Sequence, residues 1–227
     1  TITFVGDDGV TSQNVYNTVN GEDLGNIVNS MTIAGDKGYV VVNNSNKVVV
    51  VNRYTMEKEA TIAGDDIQNP RFIVASDGKG FISNWGDPLN TEDDFVTVID
   101  LESNAVLDKI SVGEGPERML IIGQKLFVCL QGGYGQNNKV VVIDIGANAV
   151  LETLTVGYVP NGIVEDSNGD IRVLCGGIPA WTGNETAGSL YNIDAGNYDM
   201  TSLDFAQTDH PGLLNAEGGS LYYQLAD

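Results

Sequence analysis

The sequence predicts an all-β fold, a β-propeller of four-stranded antiparallel blades, and three observations lead to it. A strand-ending Asp or Asn recurs at Asp7, Asn52, Asp100, Asp144 and Asp194, at spacings of 45, 48, 44 and 50. A proline that opens the next unit recurs at Pro70, Pro116, Pro160 and Pro211, spaced 46, 44 and 51, with Ser30 standing in its place in the first unit. Each interval holds four short runs rich in β-branched residues, separated by turn signals. A period in the mid-forties with four strands per repeat is the mark of a propeller blade.

Lys139 to Cys175 shows the pattern most clearly. Val140–Asp144 is an apolar run closed by Asp, and Val150–Val156 interleaves polar with apolar residues. A Gly-x-x-Pro step, Ile163–Val164, a turn at Asp166–Asp170 and the run Ile171–Cys175 complete it. Taken in order, Ile2–Val5 and Gln13–Tyr16 read as the last two strands of a unit. The first whole unit reads as Met31–Ile33, Tyr39–Asn43, Lys47–Asn52 and Lys58–Ile62. The second reads as Arg71–Val74, Gly80–Asn84, Phe95–Asp100 and Val106–Val112, and the third as Met119–Ile122, Lys125–Leu130, Lys139–Asp144 and Val150–Val156. Gly162–Glu165, Ile171–Cys175, Ser189–Asp194 and Met200–Phe205 make the fourth, and Leu213–Leu214 with Leu221–Leu225 begin a fifth.

The expected organisation is one domain over 1–227, with units at about 1–29 (partial), 30–69, 70–115, 116–159, 160–210 and 211–227 (partial). The terminal halves are complementary in strand number and would together complete a fifth blade, the usual way a ring removes its sheet edges. Third strands such as Val48–Val51 lack alternation, as suits a sheet covered on both faces. The fourth strands (KEATI, LDKISV, LETLTV) mix charge with apolar residues, as suits a wet outer edge.

The charge is −20, from 31 acidic and 11 basic residues. A field of that sign repels phosphate backbones and anionic lipid, so nucleic acid is not an expected partner. No apolar run reaches membrane-spanning length. Aligning LFVCL with IRVLC sets Cys129 one residue out of step with Cys175. The two then face opposite ways on their sheets and read as free, buried thiols.

Loops after second and fourth strands share one face of a meander, and the long ones lie there: Gly86–Asp94, Gln131–Asn138 and Gly176–Gly188. Function gathers on such loops. Trp85, Tyr134 and Trp181 follow the second strands of successive units, and Arg71, Arg118, Tyr158, Asn161 and His210 flank the fourth-to-first connections at the same rim. Aromatics with scattered polar groups make a small-molecule site, and all eight are candidate ligand-binding residues; the alternative is that the rings plug loop bases.

Other motifs are weaker. Asp166–Asp170 begins like a calcium loop, but its sixth position is Ile171 and its twelfth Gly177. Glu92-Asp93-Asp94 reads as a solvated loop. With His210 the sole histidine, a His-rich metal site within the chain is excluded, and no G-x-S-x-G elbow is present. No catalytic residue, metal or cofactor is expected.

The GxxPxG-like steps followed by VxVID strands resemble the YVTN or YncE-type surface-layer propellers. Ser30–Ile33, Gly38–Asn44 and the stretch 139–164 resemble more closely the DUF5074 surface lipoproteins of gut Bacteroidetes. That family is usually seven-bladed, which makes the chain either a five-bladed relative or one lacking C-terminal blades, with the second preferred. The related BtuG-type proteins capture cobalamin and other corrinoids on a TonB-dependent outer-membrane transporter. The resemblance therefore implies a non-enzymatic, outer-membrane or secreted binding protein that presents a small ligand, with a corrinoid as candidate, to such a transporter. The alternative is a surface-layer or protein–protein interaction scaffold.

Overall fold

The computed structural model describes residues 1–225; the last two residues of the final expected unit lie outside the described residues. β1 (Phe4–Val5) and β2 (Thr11–Ser12) form a hairpin, and α1 spans Val15–Asn20. Four four-stranded sheets follow, each strand pairing with its neighbour in sequence. The first holds β3 (Val28–Ala34), β4 (Lys37–Val42), β5 (Lys47–Asn52) and β6 (Lys58–Ala63); the second β7 (Pro70–Ser76), β8 (Lys79–Asn84), β9 (Phe95–Asp100) and β10 (Val106–Ser111). The third holds β11 (Pro116–Ile122), β12 (Lys125–Leu130), β13 (Lys139–Asp144) and β14 (Ala149–Thr155). The fourth holds β15 (Pro160–Glu165), β16 (Ile171–Cys175), β17 (Ser189–Ile193) and β18 (Met200–Asp204), and β19 (Pro211–Glu217) pairs with β20 (Ser220–Leu225). These sheets are propeller blades. The chain divides into two compact units, residues 1–84 with 97–109, and residues 85–96 with the described residues from 110 onward.

In the first unit, β4 and β5 are buried on both faces, which removes any need for alternation. One face carries Tyr39, Val41, Val48 and Val50 against Ile73, Ile82 and Ile99 of the next sheet. The other carries Val40, Val42, Val49 and Val51 against Tyr16 and Leu24. In the second unit, Phe127, Cys129, Val140 and Val142 meet Ile171, Val173, Cys175 and Ile193. Cys129 and Cys175 lie on opposite faces of equivalent strands, and stacking brings those faces together in one core. Both thiols are free and buried. Burial pushes Cys175 up to about 12, against hydrogen bonds from Ser189 and Gly157, and holds Cys129 well above its usual range, so neither is a reactive thiolate. The outer strands β6, β10, β14 and β18 are mostly exposed, as their mixed composition predicts.

Two expectations are corrected. Gln13–Tyr16 is not a strand: β2 ends at Ser12 and α1 begins at Val15, with Gly21 as its left-handed cap. The turn of helix seats Tyr16 in the core, and Asn20 fastens it, donating to the Tyr16 and Met56 carbonyls and accepting from the Lys58 N–H. Four residues were too few to display a helical period. Ser30 is also not the counterpart of the prolines. Val28 pairs with Val42 as Pro70 pairs with Asn84 and Pro160 with Cys175, and a bulge follows in each case. The residue before the strand is left-handed at Ile27, Asn69, Gly115 and Val159.

The repeated Asp or Asn is a turn device. Asn52 Oδ1 accepts the N–H groups of Tyr54 and Thr55, Asp144 Oδ1 those of Gly146 and Ala147, and Asp194 Oδ1 those of Gly196 and Asn197, all at 2.7–3.1 Å. Asp100 takes the Ser103 N–H and hydroxyl. Four residues on, Met56, Asn104, Asn148 and Tyr198 are left-handed and turn the chain into the fourth strand. At the N-terminal hairpin Asp8, rather than Asp7, makes the equivalent contact, accepting from Val10 N–H.

The hydrogen bonds to the Asp194 carboxylate hold its pKa below the usual range. Its contribution to stability is therefore present above the unfolded value of about 3.9 and is lost as pH falls through the lower folded value. Asp194→Ala is expected to lower the melting temperature by a few degrees at pH 7. Asp194→Asn should restore most of that loss, as Asn52 does natively, and should blunt the acid sensitivity. Thermal melts between pH 3 and 7 check this.

Candidate functional site

Three of the carbonyls that open a repeat accept a hydrogen bond from a side chain. Asn43 Nδ2 donates to Pro70 O at 3.2 Å, Trp85 Nε1 to Pro116 O at 3.1 Å, and Asn161 Nδ2 to Pro211 O at 2.8 Å. Asn43 and Trp85 each follow a second strand directly. The corresponding residue before the Pro211 unit is Gly176, and a Cβ there would lie 2.8 Å from Asn161 Nδ2, so glycine leaves room for Asn161 to do the work. Two rim residues singled out as ligand contacts, Trp85 and Asn161, thus fasten one unit to the next.

Trp85 also meets Tyr134 edge-on, with centroids 5.7 Å apart and planes at 70°. The Tyr134 loop is held tightly. Gln131 N–H donates to Gly115 O at 2.8 Å, Asn137 Nδ2 to Glu114 O at 3.1 Å, and Asn137 N–H to Gln131 O at 3.2 Å. Gly115 has φ +74°, and any Cβ on it would run into the backbone of Gly132 and Gly133. No side chain fits there, and the loop lies backbone to backbone on Gly115. Tyr134 is nonetheless 64% exposed.

His210 sits at the other end of the same unit. Its Nδ1 lies 2.7 Å from Gly176 O and its Nε2 3.3 Å from Glu185 Oε1. Both ring nitrogens face oxygen partners, and the ring tethers the loop 176–188 through Glu185. That loop carries Trp181 on a one-turn 3-10 helix, Ala180–Thr182, where the indole is 82% exposed. Tyr158 is 41% exposed, and its carbonyl accepts the Gly177 N–H at 2.9 Å.

Arg118 and Asn161 share a cleft of about 260 Å³ between the first strands β11, β15 and β19, walled by Ile163, Leu213 and Leu214. Asn161 Oδ1 is buried there without a hydrogen-bond partner. Arg71 belongs to the other unit, where its carbonyl accepts Asn29 Nδ2 and Ser30 Oγ. Seven of the eight candidates therefore form three local groupings in the second unit, and Arg71 belongs to the first: the groupings are the Trp85–Tyr134 pair, the Arg118–Asn161 cleft and the His210-tethered loop with Trp181 and Tyr158.

The Asp166 turn is a hairpin device. Its Oδ1 accepts the N–H groups of Asn168 and Asp170, and its Oδ2 binds the Arg172 guanidinium at 2.7 Å. Among the described residues no group of three or more His, Cys, Asp or Glu side chains is arranged to hold a metal. No helix among them is long and apolar enough to cross a membrane.

Residues 1–216 match a family described as Domain of unknown function (DUF5074). The chain belongs to that family. No curated protein matches this DUF5074 chain in sequence. In fold it is similar to a catalytically inactive virginiamycin B lyase from Staphylococcus aureus with quinupristin, at TM-score 0.73 and 13% identity over 97% of this chain and 69% of that one. Hydrazine synthase from Kuenenia stuttgartiensis gives TM-score 0.67 and 18% identity over 86% and 55%. A quinonprotein alcohol dehydrogenase-like protein from Bacteroides thetaiotaomicron gives 0.62 and 15% over 92% and 51%. The DUF5074 chain thus spans about half the length of the last two. Likeness at these identities establishes the propeller fold, a scaffold that serves enzymes and binding proteins alike.

One electrostatic feature escaped the sequence. Glu92-Asp93-Asp94 is not wholly a solvated loop, because Asp94 is only 3% exposed. Its Oδ2 accepts the Gly115 N–H at 2.6 Å, as Asn46 Oδ1 accepts the Asn69 N–H at 2.8 Å in the first unit. The amide at the matching position was the available signal. Burial is the main cause that pushes the Asp94 carboxyl up to about 6, with Asp93 and Glu114 adding to it against the Gly115 hydrogen bond. A folded pKa above the unfolded one means that stability falls as pH rises from about 4 to about 6. Asp94→Asn keeps the acceptor and removes the charge, and it is expected to stabilise the protein at pH 7–8 by on the order of 1–2 kcal/mol and to flatten that window. Chemical denaturation at pH 4, 6 and 8 checks this, and a less stable variant at pH 8 would contradict it.

Proposed function

We propose that this DUF5074 chain is a non-enzymatic binding module of the cell surface, related to the BtuG-type propellers, that captures a small ligand for delivery to an outer-membrane transporter. The observation that carries the reading is the Arg118–Asn161 cleft, in a unit whose loops also bear exposed aromatic side chains. Arg118 brings a guanidinium to the lining of the cleft, and Ile163, Leu213 and Leu214 give it apolar walls. A cleft of 260 Å³ takes one projecting group of a larger ligand, with Tyr158, Tyr134 and Trp181 available to its body. A corrinoid, a broad ring fringed with amide arms, fits that description. The sole histidine, with both nitrogens engaged by Gly176 and Glu185, supports binding over catalysis.

Titration with cyanocobalamin and with cobinamide, followed by tryptophan fluorescence, tests the reading. Saturable quenching is expected, with affinity weakened about tenfold by Trp181→Ala or Arg118→Ala at unchanged melting temperature. Folded protein that binds neither compound would remove the corrinoid from the account and favour the interaction scaffold, for which the exposed side chains of the long loops already speak.

A further inference from the structure

The long loops after the second strands do not simply line a concavity. Each thrusts one large apolar side chain outward: Leu89 at 93% exposure, Tyr134 at 64% and Trp181 at 82%. All three belong to the second compact unit. Trp85, which the sequence groups with Tyr134 and Trp181, is instead the half-buried base on which Tyr134 leans. Protruding Tyr and Trp side chains are the kind that anchor protein interfaces, with Leu89 adding apolar area, whereas small-molecule sites are concave.

The charge around them has one sign. Segments 85–94, 112–115 and 131–138 contain Asp87, Glu92, Asp93, Asp94 and Glu114 and no Lys, Arg or His. The Glu114 carboxylate lies beside Gly135, next to Tyr134, where a Cβ on that glycine would stand 3.0 Å from Oε1. The Asp93 carboxylate caps the Asp87 N–H at 3.1 Å and so sits beside the Trp85–Gly86 step. The face of an aromatic ring attracts cations, and flanking carboxylates strengthen that attraction.

We propose that the loops 85–94 and 131–138 form a docking surface for a protein partner, and that the partner presents Lys or Arg side chains around an apolar centre. The Tyr134 ring and Leu89 supply the apolar contact, while Asp93 and Glu114 receive the cations. The Gly115–Gly132–Gly133 backbone packing holds the platform ready, so little ordering is required on association. This surface shares Tyr134 with the small-ligand reading but none of the residues that line the Arg118–Asn161 cleft, and a chain that binds no corrinoid would still carry it.

The test is selection of a random dodecapeptide library on the whole chain, in parallel with Tyr134→Ala and with Asp93→Asn/Glu114→Gln, all confirmed folded by thermal melt. A control chain carries Glu57→Gln/Glu59→Gln on the outer strand of the first sheet and its preceding turn. Enriched peptides are expected to combine Lys or Arg with Leu, Tyr or Trp. Individual peptides should bind about tenfold more weakly to either site variant and to the wild type in high salt, and should bind the control chain unchanged. No enrichment, enrichment of sequences without basic residues, or equal loss on the control chain would overturn the proposal; the last outcome would reduce the effect to the overall charge of −20.

Discussion

The way each unit begins is the constraint on which the rest of the structure depends. A left-handed residue, Ile27, Asn69, Gly115 or Val159, redirects the chain from an outer strand to the next inner one. For Ile and Val such a conformation costs about 1–2 kcal/mol, and its recurrence at matching positions makes it architectural. Its backbone is pinned by the preceding loop: the Asn69 N–H by Asn46, the Gly115 N–H by Asp94 and the Val159 N–H by the Asn137 carbonyl. The proline that follows at three of these sites cannot donate, so its carbonyl is the group left to satisfy, and Asn43 and Trp85 do this for Pro70 and Pro116. At the opposite ends of the strands, Lys37 donates to Leu101 O and Lys125 to Ala195 O, tying second strands to the strand-ending turns of the next sheet. Apolar packing supplies the bulk of the cohesion, and these polar ties set the register in which it occurs.

That division explains what could be read in advance. The inner strands were legible because double-sided burial writes itself into composition: Lys47–Asn52, Phe95–Asp100, Lys125–Leu130, Lys139–Asp144 and Ile171–Cys175 fall where the apolar runs place them. The turns were legible because an Asx turn needs Asp or Asn at one spacing. Val28 was missed because the bulge after the first residue of the strand shifts the alignment by two, and Ser30 then looks like the counterpart of proline. The helix Val15–Asn20 was missed because tertiary packing of Tyr16, rather than any local period, makes it.

The candidate site was less legible for the same physical reason. Trp85 and Asn161 are aromatic and polar residues at a rim, as a ligand site would have, yet a carbonyl one unit away claims their donors. Composition cannot separate an indole that seals a seam from one that faces solvent, such as Trp181. Asp94 and Asp93 are adjacent in sequence, yet one is buried on the Gly115 N–H and the other caps an exposed turn. What remains as candidate surface is what the seams leave over: the Arg118 cleft, Tyr158, and the outward side chains of the long loops.

Propellers host catalysis and recognition on the same frame, and the loops rather than the blades commonly carry the distinction. The central claim is that the Tyr134 loop is prebuilt by its backbone packing on Gly115 rather than shaped by a partner. Native-state hydrogen exchange resolved to single amides tests this directly. The account predicts that the Gln131, Gly135 and Asn137 N–H groups, bonded to Gly115 O, Gly132 O and Gln131 O, exchange slowly, approaching the inner-strand amides of Leu126–Leu130. Exchange of those three at the rate of an open loop, while β12 stays protected, would contradict it.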